Sequence, residues 1–112
     1  MAQLRVRAIE LEYIASSTLT GSYQAINPSG LPEACFLVEL VNGSNQAVTI
    51  SLDGTTDHLV VLQASTKNYP SPINTLSNSR GALWAKGQVF YAKGTAGTGD
   101  IAVCGLYQVQ PS

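Results

Sequence analysis

A period of two runs through this chain and directs it toward β-structure. Val48, Ile50 and Leu52 alternate with Thr49, Ser51 and Asp53. Successive strand side chains point to opposite faces, so this alternation gives one buried and one wet face. Residues 34–41 (Ala-Cys-Phe-Leu-Val-Glu-Leu-Val) are apolar on both faces, as a central strand is. Between these runs lies Asn42-Gly43-Ser44-Asn45, and Asn-Gly supplies the positive φ angles of a tight hairpin turn. A third strand at 58–63 is reached through Asp53-Gly54-Thr55-Thr56-Asp57. The expectation is a three-strand antiparallel meander.

The first fourteen residues change phase. Leu4, Val6 and Ala8 share one face with Arg5 and Arg7 opposite; then Ile9, Leu11 and Tyr13 take over, opposite Glu10 and Glu12. A one-residue shift predicts a β-bulge, or a strand bending from one sheet to another. Leu4, Ala8 and Leu11 also have helical spacing, but no capping residue precedes them, and strand is the reading adopted.

A short strand near 22–26 precedes the turn-rich Asn27-Pro28-Ser29-Gly30-Leu31-Pro32. The stretch 64–81, with Pro70 and Pro72, reads as the longest irregular segment, a loop or an arm. Strands follow at 82–86, 88–93 and 101–109, the last two joined by a glycine-rich hairpin loop. Seven to eight short strands with frequent turns predict one all-β domain over 1–112, an antiparallel β-sandwich of jelly-roll-like type. At 112 residues such a chain buries about 65% of its unfolded surface, enough for a core without disulfides or metals.

Composition narrows the function. Charged residues make up 12% of the chain, the net charge is −1 and the pI is near 5.6. The six basic residues form no run, so there is no footprint for nucleic acid. The longest apolar runs are far short of a membrane span, and no export signal precedes the first strand. Without export, Cys35 and Cys104 read as free buried thiols, and the Asn42-Gly43-Ser44 sequon as a turn. A weakly charged exterior rich in Ser, Thr and Asn lacks the repulsion that keeps monomers apart, and suits either an assembly or a monomer that tolerates low charge.

Candidate chemistry is thin. Gly94-Thr-Ala-Gly97-Thr-Gly99-Asp100 follows a strand as a phosphate loop does, but leads into another strand and not a helix N-terminus. His58, the only histidine, has Asp57 beside it, yet adjacent strand residues face opposite ways, and there is no Gly-x-Ser-x-Gly elbow. Asp53 and Asp57 read as turn aspartates that bond their own backbone. Two cysteines and one histidine do not make a zinc site. The reading is of a non-enzyme without cofactor or metal. Trp84 and the tyrosines raise a carbohydrate-binding alternative: Tyr91 and Tyr107 read as core, and Tyr69, beside Pro70, as the best exposed candidate. The candidate partner contacts are Arg5, Arg7, Tyr69, Pro70, Pro72 and Trp84.

Residues 48–61, Val-Thr-Ile-Ser-Leu-Asp-Gly-Thr-Thr-Asp-His-Leu-Val-Val, resemble a strand–Asp-Gly–strand unit of small virion proteins of tailed bacteriophages. The resemblance continues after a variable loop with Lys86-Gly-Gln-Val-Phe-Tyr-Ala-Lys-Gly94. It ends in a glycine-rich turn and the strand Ile101-Ala-Val-Cys-Gly-Leu-Tyr107. It spans about 35–112 and implies a β-sandwich that binds a capsid, neck or tail surface. Capsid decoration is the first expectation, with the major capsid or neck and tail proteins as partners and a homo-oligomer, trimeric by preference. No functional residue transfers, since such proteins act through surfaces.

Overall fold

The computed structural model describes residues 5–70 and 84–109. They form two antiparallel sheets packed face to face, an all-β sandwich. Sheet I contains β1 (Arg5–Ala8), β2 (Glu12–Ala15), β4 (Leu37–Asn42), β7 (Ser65–Pro70) and β9 (Asp100–Val109). Its order is β1-β9-β4-β7, with β2 also paired to β9. Sheet II contains β3 (Gln24–Ala25), β5 (Val48–Ser51), β6 (Leu59–Val61) and β8 (Tyr91–Gly94), in the order β3-β8-β5-β6.

The phase shift near the N-terminus is a bulge. Ala8 pairs with Leu106 and Glu12 with Val103, so residues 9–11 stand opposite only 104 and 105. The Ile9 N–H donates to the Gly105 carbonyl at 2.9 Å and holds the bulge to β9. β1 and β2 are thus one bulged strand along β9. The two apolar sets divide differently from the sequence expectation: Ile9 and Ile14 pack toward the core, while Leu11 and Tyr13 are exposed.

The core lies between the sheets. Sheet I contributes Val38, Leu40, Ile101 and Val103, and sheet II contributes Val48, Ile50, Val61 and Ala92, with Phe90 just before β8. Leu19, Ile26 and Leu31 close one side. Each of these side chains other than Ala92 stabilises the fold by about 1.5–3 kcal/mol of gross transfer free energy.

Two expected hairpins are corners instead. β4 and β5 do not pair; they lie in different sheets, so only the β5–β6 arm of the expected meander forms. The reason is Asn42, which is 1% exposed. Its Nδ2 donates to the carbonyls of Gln46 (2.8 Å), Val61 (3.0 Å) and Leu62 (3.1 Å). Its Oδ1 accepts from the Ser44 N–H at 3.0 Å. The buried amide thereby replaces ladder bonds where the chain leaves sheet I for sheet II. An amide so engaged cannot carry a glycan in this fold.

The glycine-rich segment after β8 makes the return crossing and is likewise no hairpin. Gly43 N–H donates to the Asp100 carbonyl at 2.9 Å, and Thr98 N–H to Asn45 Oδ1 at 3.1 Å, so the two corners interlock. Gly99 has φ +96°, and a Cβ there would collide with the Gly43 carbonyl oxygen. Glycine is required at that crossing on both counts.

The expected irregular stretch 64–81 begins as a strand. β7 pairs with β4 along its whole length, from Asn42↔Ser65 to Leu37↔Pro70. Ser-Thr-Lys-Asn-Tyr-Pro carries no apolar alternation because an edge strand is held by backbone bonds, and Pro is tolerated at such an edge. The rest of that stretch lies outside the described residues. Of the expected strand at 82–86, residues 82 and 83 lie outside the described residues, and among 84–86 Trp84 forms a bridge with Cys35.

Candidate functional site

The residues expected to contact a partner divide between the two edges of sheet I: Trp84 bridges Cys35, two residues before the Leu37 that pairs with Pro70, while the arginines lie at the opposite edge. Arg5 and Arg7 lie in β1, opposite Val109 and Tyr107, and Arg7 is exposed. Tyr69 and Pro70 lie in β7, opposite Val38 and Leu37 of β4. β1 and β7 are the two edges of sheet I, three strand spacings or roughly 14 Å apart. Trp84 is half-buried, bridges Cys35, and packs on Phe90 with ring centroids 5.5 Å apart, tilted by 58°. Its ring joins the edge of the core and is not an open stacking platform. Pro72 lies outside the described residues.

What the fold assembles is a face. In β4, Val38, Leu40 and Asn42 turn inward, so Leu37, Glu39 and Val41 turn outward. In β9, Ile101 and Val103 turn inward, so Ala102, Cys104 and Leu106 turn outward. The register sets Leu37 beside Leu106, Glu39 beside Cys104 and Val41 beside Ala102. Strand alternation puts Val6 and Ala8 of β1 and Tyr13 of β2 on the same side, next to β9. Val6, Leu11 and Tyr13 are 59%, 53% and 60% exposed, among the most exposed large apolar residues described. The outer face of sheet I is therefore apolar across three strand columns, with Glu39 as its central charge.

The bulge hollows this face. Ala8, Leu11, Leu37, Glu39, Cys104 and Leu106 line a groove of about 220 Å³, with Ile9 and Gly105 at its base. Gly105 carries no side chain because a Cβ there would press on Cys35 Sγ at 2.9 Å and Ile9 Cδ1 at 3.2 Å. Cys35 is buried on the core side and Cys104 faces the groove; both thiols are free. Burial pushes both thiols up, with a smaller push from Glu33 on Cys35 and from Glu39 on Cys104.

A polar loop lies over part of the outer face of sheet II, at Tyr91. Asp53 Oδ1 accepts from the N–H groups of Thr55 (2.9 Å) and Thr56 (2.8 Å), the turn geometry expected of it. These amides hold its carboxyl well below the usual carboxylate range. Gly54 rests over the Tyr91 ring, so Tyr91 supports this loop on the outer face and is not core. Tyr107 does pack against the core, as expected.

Asp57 is not a turn aspartate. It accepts from the Tyr23 hydroxyl and pairs with Lys93 Nζ at 2.8 Å, and Lys93 sits 4.6 Å from the Tyr23 ring centroid. The Lys93 ammonium, and then the Tyr23 hydroxyl, hold the Asp57 carboxyl below its ordinary value. His58 Nδ1 accepts the Leu52 N–H at 2.9 Å, so that ring nitrogen serves the 52–58 turn. Among the described residues, no three His, Cys, Asp or Glu side chains gather as a metal site.

The sequence did carry a signal for the sheet I face. Apolar residues on both phases of 34–41 mark a strand whose outer side also needs cover, and Ala102, Cys104 and Leu106 repeat that pattern in the last strand. Compared with known proteins, the chain matches no family model, no curated protein and no solved structure.

Proposed function

We propose that this chain is a non-catalytic structural subunit that acts through its sandwich surface, as a component of a tailed-phage virion. The observation that carries the reading is the apolar outer face of sheet I, over which no layer of the described chain is laid. A sandwich exposed to water on both sides keeps mainly polar residues outward, and contiguous exposed apolar surface marks a contact site.

Two further features favour a virion subunit over an unspecified contact module. Counting the bulged β1–β2 as one strand leaves eight among the described residues; renumbered one to eight in chain order, they run 1-8-3-6 in sheet I and 2-7-4-5 in sheet II. That order is the one a double Greek key of jelly-roll type would have, an arrangement found among capsid proteins; it supports the reading by analogy. The resemblance of 48–61 and 86–107 to small phage virion proteins is the second. Within the virion, capsid decoration is the first position, with neck, tail or fibre adaptor as the alternative.

Electron micrographs of purified particles labelled with antibody against the chain test this. Label at regular positions on the shell is expected, and label at the neck or tail would move the subunit there. Particles free of the chain would end the virion reading.

A further inference from the structure

We propose that the outer face of sheet I binds a second copy of this chain by a two-fold contact, in which Tyr13 of each copy enters the bulge groove of the other. This rests on the reading of that face as a contact surface, and is independent of the virion assignment.

The groove and the Tyr13 side chain are chemical complements. The groove is apolar except for one carboxylate, Glu39. Tyr13 is an aromatic ring held 60% exposed on the same face, with one donor at its tip. A groove of about 220 Å³ accommodates a phenol ring. The hydroxyl then donates to Glu39, which otherwise would lose water without gaining a partner.

Both elements lie along β9, which makes the exchange reciprocal. Tyr13 is level with Ala102, and the groove centres near Gly105. Three residues of strand separate them, about 10 Å. A two-fold axis between the stacked faces, crossing β9 midway, carries each Tyr13 onto the other copy's groove. Such a self-complementary contact closes at two copies, so it favours a dimer over the trimer expected from the sequence.

The area is sufficient and modest. The three apolar strand columns with β7 at their rim, ~4.8 Å apart and on average about eight residues at ~3.4 Å each, span roughly 500 Å². A pair then buries on the order of 1,000 Å², at the lower bound for a specific interface, which suits a dissociation constant on the order of micromolar. The low charge of the chain, 12% charged residues with a net −1, leaves little long-range repulsion to oppose it.

Sedimentation velocity from about 1 to 200 µM tests the proposal, with circular dichroism as the check that each variant folds. The expected result is a reversible shift from 11.8 kDa toward twice that mass. Tyr13→Ser, at an exposed position, is expected to keep the fold and raise the dissociation constant ~30-fold or more. Tyr13→Phe is expected to raise it ~10-fold with Glu39 present, and less than about twofold in a Glu39→Leu background, because only the first pair contains the hydroxyl–carboxylate bond. A chain that stays monomeric to 200 µM overturns the proposal, whatever other protein it binds. So does an oligomer that folded Tyr13→Ser leaves intact, and equal losses from Tyr13→Phe in both backgrounds overturn the Tyr13–Glu39 contact. Monomers found on labelled particles would sink this inference and leave the virion reading standing; dimers absent from particles would do the reverse.

Discussion

Replacing Asn42 with alanine is expected to be among the most damaging single changes to this fold. The side chain is 1% exposed and sits where the chain passes from sheet I to sheet II. Its two N–H bonds are shared among three carbonyls, those of Gln46, Val61 and Leu62, at 2.8, 3.0 and 3.1 Å. Its oxygen accepts from the Ser44 N–H at 3.0 Å and the Ser44 hydroxyl at 2.5 Å. Alanine therefore removes about four bonds at roughly 1 kcal/mol each, for a loss of about 3–4 kcal/mol. A 112-residue domain has a total stability of roughly 6–17 kcal/mol, so the loss is a large fraction of the whole. At about 4 °C per kcal/mol, Tm falls by roughly 12–16 °C. Asn42→Asp should be worse than alanine, since it turns a buried carboxylate toward three carbonyl oxygens. Asn45→Ala, which deletes one exposed acceptor for Thr98 N–H, should cost under about 1 kcal/mol. Urea unfolding followed through Trp84, the one tryptophan, measures all three. An Asn42→Ala variant within 1 kcal/mol of the native chain, or an Asn42→Asp variant no worse than Asn45→Ala, would refute the argument that this amide holds the corner.

Gly99→Ala is expected to cost about 2 kcal/mol or more, because φ is +96° and the new methyl meets the Gly43 carbonyl; Gly21→Ala, with open space around it, should stay within ~0.5 kcal/mol in the same urea assay. Acid should weaken the 51–58 loop. The folded carboxyls of Asp53 and Asp57 are depressed, so the stability they contribute is present above the unfolded pKa near ~3.9 and is lost as pH falls through the folded values. Thermal melts between pH 6 and 2 should show this decline, and Asp53→Asn should flatten it; an unchanged profile would remove the carboxylate from the explanation. Toward a thiol reagent, Cys104 in the open groove should react well before the buried Cys35, and both more slowly than a free cysteine. Mass spectrometry after partial labelling and digestion reads the order directly.

The alternation at 48–53 was legible because it reports burial through spacing; the break in period at Ala8–Ile9 marked the bulge but not burial, since Val6, Leu11 and Tyr13 are exposed. The Asp53-Gly54 connection was legible because it joins neighbours in one sheet, β5 and β6. Asn42-Gly43 was not, since the same dipeptide serves a hairpin or a corner, and only the buried carbonyls around the Asn42 amide decide between them. β7 left no pattern to read: its place is set by the open edge of β4, and a polar strand satisfies that edge by backbone alone. The contact residues chosen from sequence were conspicuous ones, a tryptophan, a tyrosine beside proline, two arginines. The face the fold builds comes from unremarkable positions, Leu37, Val41, Ala102 and Leu106, which meet only once β4 and β9 pair.

The two outer faces show why association and folding can be separated in this molecule. Sheet II has a polar loop over part of its outer face, with Asp57 bound to Lys93 and Tyr23, and Tyr91 roofed by the turn at Gly54. Sheet I has a groove and an exposed ring with no such cover among the described residues: Tyr13 is 60% exposed and lies outside the core cluster. The other exposed apolar residues, Val60 and Leu62, lie in or beside β6, a three-residue edge strand too short to template a partner strand. Apolar surface that the fold does not use for its own core is surface whose burial is still favourable. On sheet I that surface is broad, hollowed by the bulge and matched by a side chain of its own, so changes at Tyr13 should move association and leave unfolding where it was. Changes at Asn42 should do the opposite.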